Sequence, residues 1–146
     1  MTDQTTHHEP RADAELRLPA DGAFVAVLRS ATTGLAARLD FTLDDLEDLR
    51  IVVGEAAALV LEAADPGTDL TARFWLQPGI LTIAVSATAT APQRPDQGSF
   101  AWTVLTTLAD RASARAEAGL LEITLTAVSE LTPAITAADT GSRPRA

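Results

Sequence analysis

The chain has 146 residues, enough for one compact core at the usual ~100–200 residues per domain. Hydrophobic residues make up 47% and charged residues 21%, a globular balance, and no apolar run approaches the ~18 residues of a membrane-spanning helix. The formal charge of −9 repels phosphodiester backbones, so direct nucleic-acid binding is not expected, and neither is a membrane partner.

Absent residue types narrow the chemistry further. No cysteine occurs, which removes disulfides, thiolate nucleophiles and Cys-type metal sites. All 11 basic residues are Arg, so a P-loop lysine, a Schiff base and a Ser–Lys dyad are excluded. The opening MTDQTTHHEP lacks the charged-then-apolar plan of a signal peptide, and a cytoplasmic location is expected.

Residues 1–13 carry no periodic apolar positions and read as a disordered N-terminal tail. Leu16 and Leu18 alternate with polar neighbours and predict a short strand stopped by Pro19. Asp21 can cap a first helix whose apolar face is Phe24, Val27, Leu28, Ala31, Leu35 and Leu39. Its other side, Val25, Arg29, Thr32 and Ala36, is small and polar enough to meet a partner.

Thr42 with Asp45 three residues on resembles a capping box, and Asp44, Glu47 and Asp48 suit the positive end of a helix dipole. A second helix follows, with Leu46, Leu49, Val53, Ala56, Ala57, Val60 and Ala64 as its buried stripe, stopped by Asp65-Pro66-Gly67. The period then changes from near 3.6 to 2. Leu70, Ala72, Phe74 and Leu76, then Leu81, Ile83 and Val85, predict a hairpin turning at Gln77-Pro78-Gly79.

Residues 88–97 hold two prolines and no pattern, a surface loop. Ser99 can cap a third helix to about Ala109, with Ala101, Val104, Leu105 and Leu108 on one side. Residues 111–118 alternate Ala with polar side chains and predict a strand, an Ala-rich helix being the competing reading. Gly119 turns the chain into a last strand with Leu121, Ile123 and Leu125, and residues 129–146 read as a disordered C-terminal tail. The order β-α-α-β-β-α-β-β predicts an α+β fold, a helical layer on a mostly antiparallel sheet.

Chemistry is sparse. The eight glycines, at 22, 34, 54, 67, 79, 98, 119 and 141, lie too far apart for a phosphate-cradling loop. His7 and His8 stand side by side in the tail, without the i, i+4 spacing that would let them share a metal. No G-x-S-x-G elbow exists. Glu55 sits mid-helix between Val52 and Leu59, apolar neighbours that could raise its pKa toward that of a general base; the ordinary alternative is a surface carboxylate. Trp102 reads as a plug for the sheet edge rather than a platform for a ligand.

Two strings carry a resemblance. Phe41-Thr-Leu-Asp-Asp-Leu-Glu-Asp-Leu-Arg-Ile-Val-Val-Gly-Glu55-Ala and Gly98-Ser-Phe-Ala-Trp-Thr-Val-Leu-Thr-Thr-Leu-Ala-Asp110 resemble the RsbW-type anti-sigma factors, small members of the histidine-kinase-like (GHKL) ATPase superfamily. The resemblance runs from about Glu15 to Val128 and implies one domain, residues 14–128, a two-layer α/β sandwich with three helices over the sheet. It also implies a homodimer that holds an alternative sigma factor of the stress-response or developmental type, and a STAS-domain anti-anti-sigma factor that releases it. Many members are serine kinases that phosphorylate this antagonist with ATP and Mg²⁺. By that resemblance Glu55 matches the kinase base, and Arg29 a first-helix arginine that helps grip the sigma factor.

The departures shape the expectation. Where the family's metal-binding Asn stands, four residues after the Glu, this chain has Leu59, which offers a hard cation no lone pair. The D-x-G-x-G box falls near residues 86–92, Ser-Ala-Thr-Ala-Thr-Ala-Pro, with neither acid nor glycine, and the second glycine box is reduced to Gly98-Ser-Phe. Contacts of this kind are worth ~1–3 kcal/mol each. The expected protein is therefore a sigma-binding one whose nucleotide site has decayed, with Glu55 vestigial and no cofactor. The alternative is an active serine kinase holding ATP through Arg94, Gly98 and Ser99. A further alternative is an interaction domain of the same fold with a different partner.

Overall fold

The structure, a computed structural model, describes residues 10–132. Five strands, β1 (Ala14–Pro19), β2 (Asp69–Gln77), β3 (Ile80–Thr88), β4 (Arg111–Glu117) and β5 (Leu120–Val128), form one sheet in the order β1-β2-β3-β5-β4. Every pairing is antiparallel, and helices α1 (Val25–Ala36), α2 (Leu43–Ala63) and α3 (Phe100–Leu108) complete the expected element order. The α+β reading holds throughout, including β4, whose alternating Ala112, Ala114 and Ala116 pack against the core.

The period-2 alternation decides which face of the sheet is covered. Phe74, Leu81, Ile83, Val85, Ile123 and Leu125 are buried beneath the helices. On the opposite face Glu122 binds Arg73 at 2.8 Å and Arg115 at 3.1 Å, a row that crosses four strands. It passes over Ala84 and Ser86, whose small side chains leave room for the Arg73 stem.

Helix α2 is the centre of the helical layer and packs on α1, α3, β3 and β5. Its start is the capping box that the sequence announces: Asp45 N donates to Thr42 Oγ1 at 3.1 Å, and Thr42 N donates to Asp45 Oδ2 at 3.0 Å. Val52, read from sequence as a neighbour of Glu55 off the stripe, is fully in the core, because a helix packed on three sides buries more than one stripe.

The face assigned to α1 is corrected. Val25, Leu28, Thr32 and Ala36 are the buried residues, whereas Val27, expected inside, is 46% exposed. A 3₁₀ turn over Gly22–Phe24 precedes α1 and shifts the helical phase, so Phe24 does not continue the wheel. Thr32 looks polar in sequence, yet its hydroxyl donates to Leu28 O at 2.8 Å within its own helix, which lets it enter the core without an unmet donor. Val25, Thr32 and Ala36 therefore belong to the core and cannot form the outer partner surface expected of them.

The folded unit extends past the expected limits of 14 and 128. Pro10 O accepts from Trp75 Nε1 at 2.8 Å, and Asp13 Oδ2 accepts from Leu76 N at 2.7 Å. At the other end Ser129 is buried; its hydroxyl donates to Asp40 O at 2.6 Å, and Glu130 N donates to Asp45 Oδ2 at 3.1 Å. This ties the end of β5 to the α1–α2 turn. The tails of 1–9 and 133–146, with His7 and His8, lie outside the described residues.

Candidate functional site

Arg29 and Glu55 meet on the outer side of α1 and α2. Both line an open recess of about 270 Å³ together with Glu47, Arg50 and Ile51. Spacing on α2 explains it: Glu47, Ile51 and Glu55 recur at i, i+4 and i+8 and so share one helix face. Reading Glu47 only as a dipole-matched residue hid that face, and with it Arg50 and Ile51.

Gly54 shapes the recess. A Cβ placed there would stand 2.6 Å from Arg29 Nη2 and 2.8 Å from Nε, so the guanidinium lies flat over the glycine in the α1–α2 seam. Arg29 is half-buried, and among the described residues its side chain makes no ion pair or hydrogen bond. A guanidinium held by packing, with its donors unspent, is available to a partner. Ile51, 47% exposed, adds apolar surface to the recess. The surroundings of Glu55 are charged and open; Val52, one turn before it, points into the core.

Leu59, one turn after Glu55, lines a second recess of about 310 Å³ with Glu62, Ala63, Arg94, Pro95 and Leu121. Arg94 comes here from the 88–97 loop, as the position of that loop predicts. Gly98 and Ser99 do not join it. Gly98 N donates to Asp96 Oδ1 at 2.9 Å, Ser99 N donates to Asp96 O at 3.0 Å, and Ser99 Oγ accepts from Trp102 N at 3.2 Å. Ahead of α3, the Asp96 carboxylate thus takes the Gly98 amide, and Ser99 caps the helix through Trp102 N.

The loop is also pinned at its other end. Asp65 accepts from Thr90 N at 2.9 Å and from Thr90 Oγ1 at 2.7 Å, which fastens the loop to the end of α2. In sequence Asp65 marks only a helix stop, and the signal for Asp96 is the pattern Asp-Gln-Gly, an acid two residues before a glycine. Trp102 is buried in the core, as expected, and Phe100 is 80% exposed beside the loop.

The helix position facing the loop carries the alkyl Leu59, which offers a hard cation no oxygen ligand, while Gly98 N and Ser99 N are bonded to Asp96. Among the described residues Arg94 is the cation lining the recess, together with Glu62.

In sequence this chain is similar to serine-protein kinases named RsbW, and in fold to a structure that contains an RsbW domain. No protein-family model matches. A serine-protein kinase RsbW of Halalkalibacterium halodurans is 38% identical over 80 residues, 54% of this chain and 49% of the relative. The Bacillus mycoides serine-protein kinase RsbW is 35% identical over 75 residues, 49% of this chain and 46% of that one. The chain thus spans about half the length of the curated relatives it matches.

In three dimensions the chain is similar to a crystal structure of the RsbU and RsbW domains of a Mycobacterium tuberculosis protein. The TM-score is 0.57 at 17% identity, covering 79% of this chain and 32% of the other, a likeness of fold. The resemblance to RsbW proteins is therefore present both in sequence, over about half the chain, and in architecture. No helix among the described residues is long and apolar enough to cross a membrane.

Proposed function

We propose that this protein is an anti-sigma factor that sequesters an alternative sigma factor through the Arg29 side of α1 and α2. A STAS-domain anti-anti-sigma factor antagonises it, and it works without nucleotide chemistry. One contrast carries the reading. Along a single face of α2, the Glu55 end remains an open, charged recess with Arg29 propped over Gly54, while the Leu59 end has lost its metal ligand and faces a loop whose amides are already bound by Asp96.

The arrangement suits sequestration. Arg29 and Arg50 stand with Glu47 and Glu55 around the exposed apolar Ile51, an apolar centre with a charged rim that a bound partner would desolvate. A formal charge of −9 attracts the basic surface by which a transcription initiation subunit meets DNA, and so speeds encounter. A homodimer is part of the proposal; with Val25, Thr32 and Ala36 in the core, a seam on α1 uses the outward Ala26, Val27, Ser30 and Gly34.

The names of the relatives favour a second reading, an active serine kinase. Incubation of the full chain with millimolar Mg·ATP and its cognate STAS protein separates the two. The expected result is no phosphate transfer; transfer that Glu55→Gln abolishes would establish the kinase and end the claim of a decayed site.

A further inference from the structure

Strand β4 is the outer strand of the sheet beside β5, and among the described residues no strand pairs with its other side. All 7 of its residues are exposed or half-exposed. An edge in that state is a template for another strand. The opposite edge is blunted, because β1 has 6 residues and the last of them is Pro19.

The turn after β4 decides which backbone groups are free. Ala118 and Gly119, at φ 53° and 74°, are the left-handed pair of a two-residue type I′ hairpin, so Glu117 and Leu120 close it as a hydrogen-bonded pair. Alternation then turns the amides and carbonyls of Arg111, Ser113, Arg115 and Glu117 toward β5, and those of Ala112, Ala114 and Ala116 outward. The alanine side chains pack toward the core, which leaves the two Arg, the Ser and the Glu on the uncovered face.

This string is complementary to itself. Laid antiparallel against a second β4 about a two-fold at Ala114, it sets Ala112 opposite Ala116 and Arg111 opposite Glu117, at both ends of the pairing. The outward alanine groups then exchange about six backbone hydrogen bonds. A slip of two residues one way puts Arg115 opposite its own copy, and the other way puts Arg111 opposite Arg115, so charge selects the single register. Both end residues are available: Arg111 makes no ion pair or hydrogen bond among the described residues, and Glu117 makes only an exposed 3.7 Å contact with Arg115. An unrelated strand would have to supply an acid opposite Arg111 and a base opposite Glu117; a second copy brings both.

We propose that β4 is a self-association edge, at which two copies of this chain join β4 to β4 into one continuous sheet across a two-fold axis. The contact uses none of the α1 residues of the seam proposed above and does not rest on the sigma-binding reading.

The test is sedimentation equilibrium of the chain and its charge variants over a range of concentrations. Glu117→Arg and Arg111→Glu each turn both end pairs from attraction to repulsion, and each is expected to weaken association at least ~10-fold, with the mass falling toward half at unchanged melting temperature. An equimolar mixture of these two variants brings opposite charges together again, as does the double exchange Arg111→Glu/Glu117→Arg, and both are expected to regain the parent's mass. Because the chain has no cysteine, Ala114→Cys probes the axis itself. Facing Cα atoms of a hydrogen-bonded pair stand about 5.5 Å apart, within disulfide reach, so oxidation is expected to link two copies at least ~10-fold faster than it links Glu15→Cys on β1. A parent no heavier than its single variants, a mixture that stays as light as they are, or Ala114→Cys linking no faster than Glu15→Cys would each overturn the proposal.

Discussion

Gly54→Ala separates the stability of the α1–α2 seam from its use. The three atoms nearest to a Cβ at that position, at 2.6, 2.8 and 3.1 Å, all belong to the Arg29 guanidinium group and its Nε. The obstruction is thus the far end of a flexible side chain. Alanine in place of glycine inside a helix stabilises by about 0.8–1.0 kcal/mol, and moving Arg29 to another rotamer costs about 0.5–1.5 kcal/mol. The two nearly cancel. Urea denaturation should therefore show a change within about 1 kcal/mol of zero, while the Arg29 Nε–Hε resonance moves and binding of the proposed partner weakens. A loss above about 2 kcal/mol would refute the reasoning, because it would mean that α1 backbone, and not a movable guanidinium, closes the seam.

Asp45 gives a pH prediction. Burial disfavours its charge, but the backbone N–H groups of Thr42 and Glu130 donate to the carboxylate and, with the Thr42 and Ser129 side chains beside it, hold its pKa below the usual 3.8. A depressed native pKa contributes stability above the unfolded value and loses it as pH falls through the native one, so Asp45→Asn should flatten the acid limb of a stability-versus-pH curve below about pH 4 and cost about 0.5–2 kcal/mol at neutral pH. On the uncovered sheet face, Glu122→Ala should cost about 1–2 kcal/mol in urea, less than a fully buried pair because Arg73 and Arg115 are 27% and 49% exposed, and Glu122→Gln should recover part of it. Asp65→Ala should raise the amide exchange rate of Thr90 while the α2 core amides keep their protection; equal loosening of both would contradict the clamp.

Much of the architecture is legible in the sequence because each element obeys one dominant rule. The capping box at Thr42, the switch to period 2 after Asp65 and the Ala alternation of β4 are local signals, and tertiary packing follows them. The phase of α1 is not legible: its burial depends on a 3₁₀ turn just before it and on Thr32 bonding its own helix, both of which hydropathy reads as solvent exposure. The site divides in the same way. That Leu59 offers no metal ligand is legible from residue type alone, whereas the seating of Arg29 over Gly54 and the capture of Gly98 by Asp96 depend on how α1 and the loop meet α2 and α3. Polarity patterns do not encode those contacts.

The most direct measurement is retention of a sigma factor by the chain, tagged and recovered from its native cells, with Arg29→Glu alongside as the matched variant. Co-elution of a sigma factor with the parent chain, lost or reduced at least ~10-fold by Arg29→Glu at unchanged melting temperature, is the predicted result. A parent chain that retains no sigma factor, or a variant that retains it undiminished, would contradict the account.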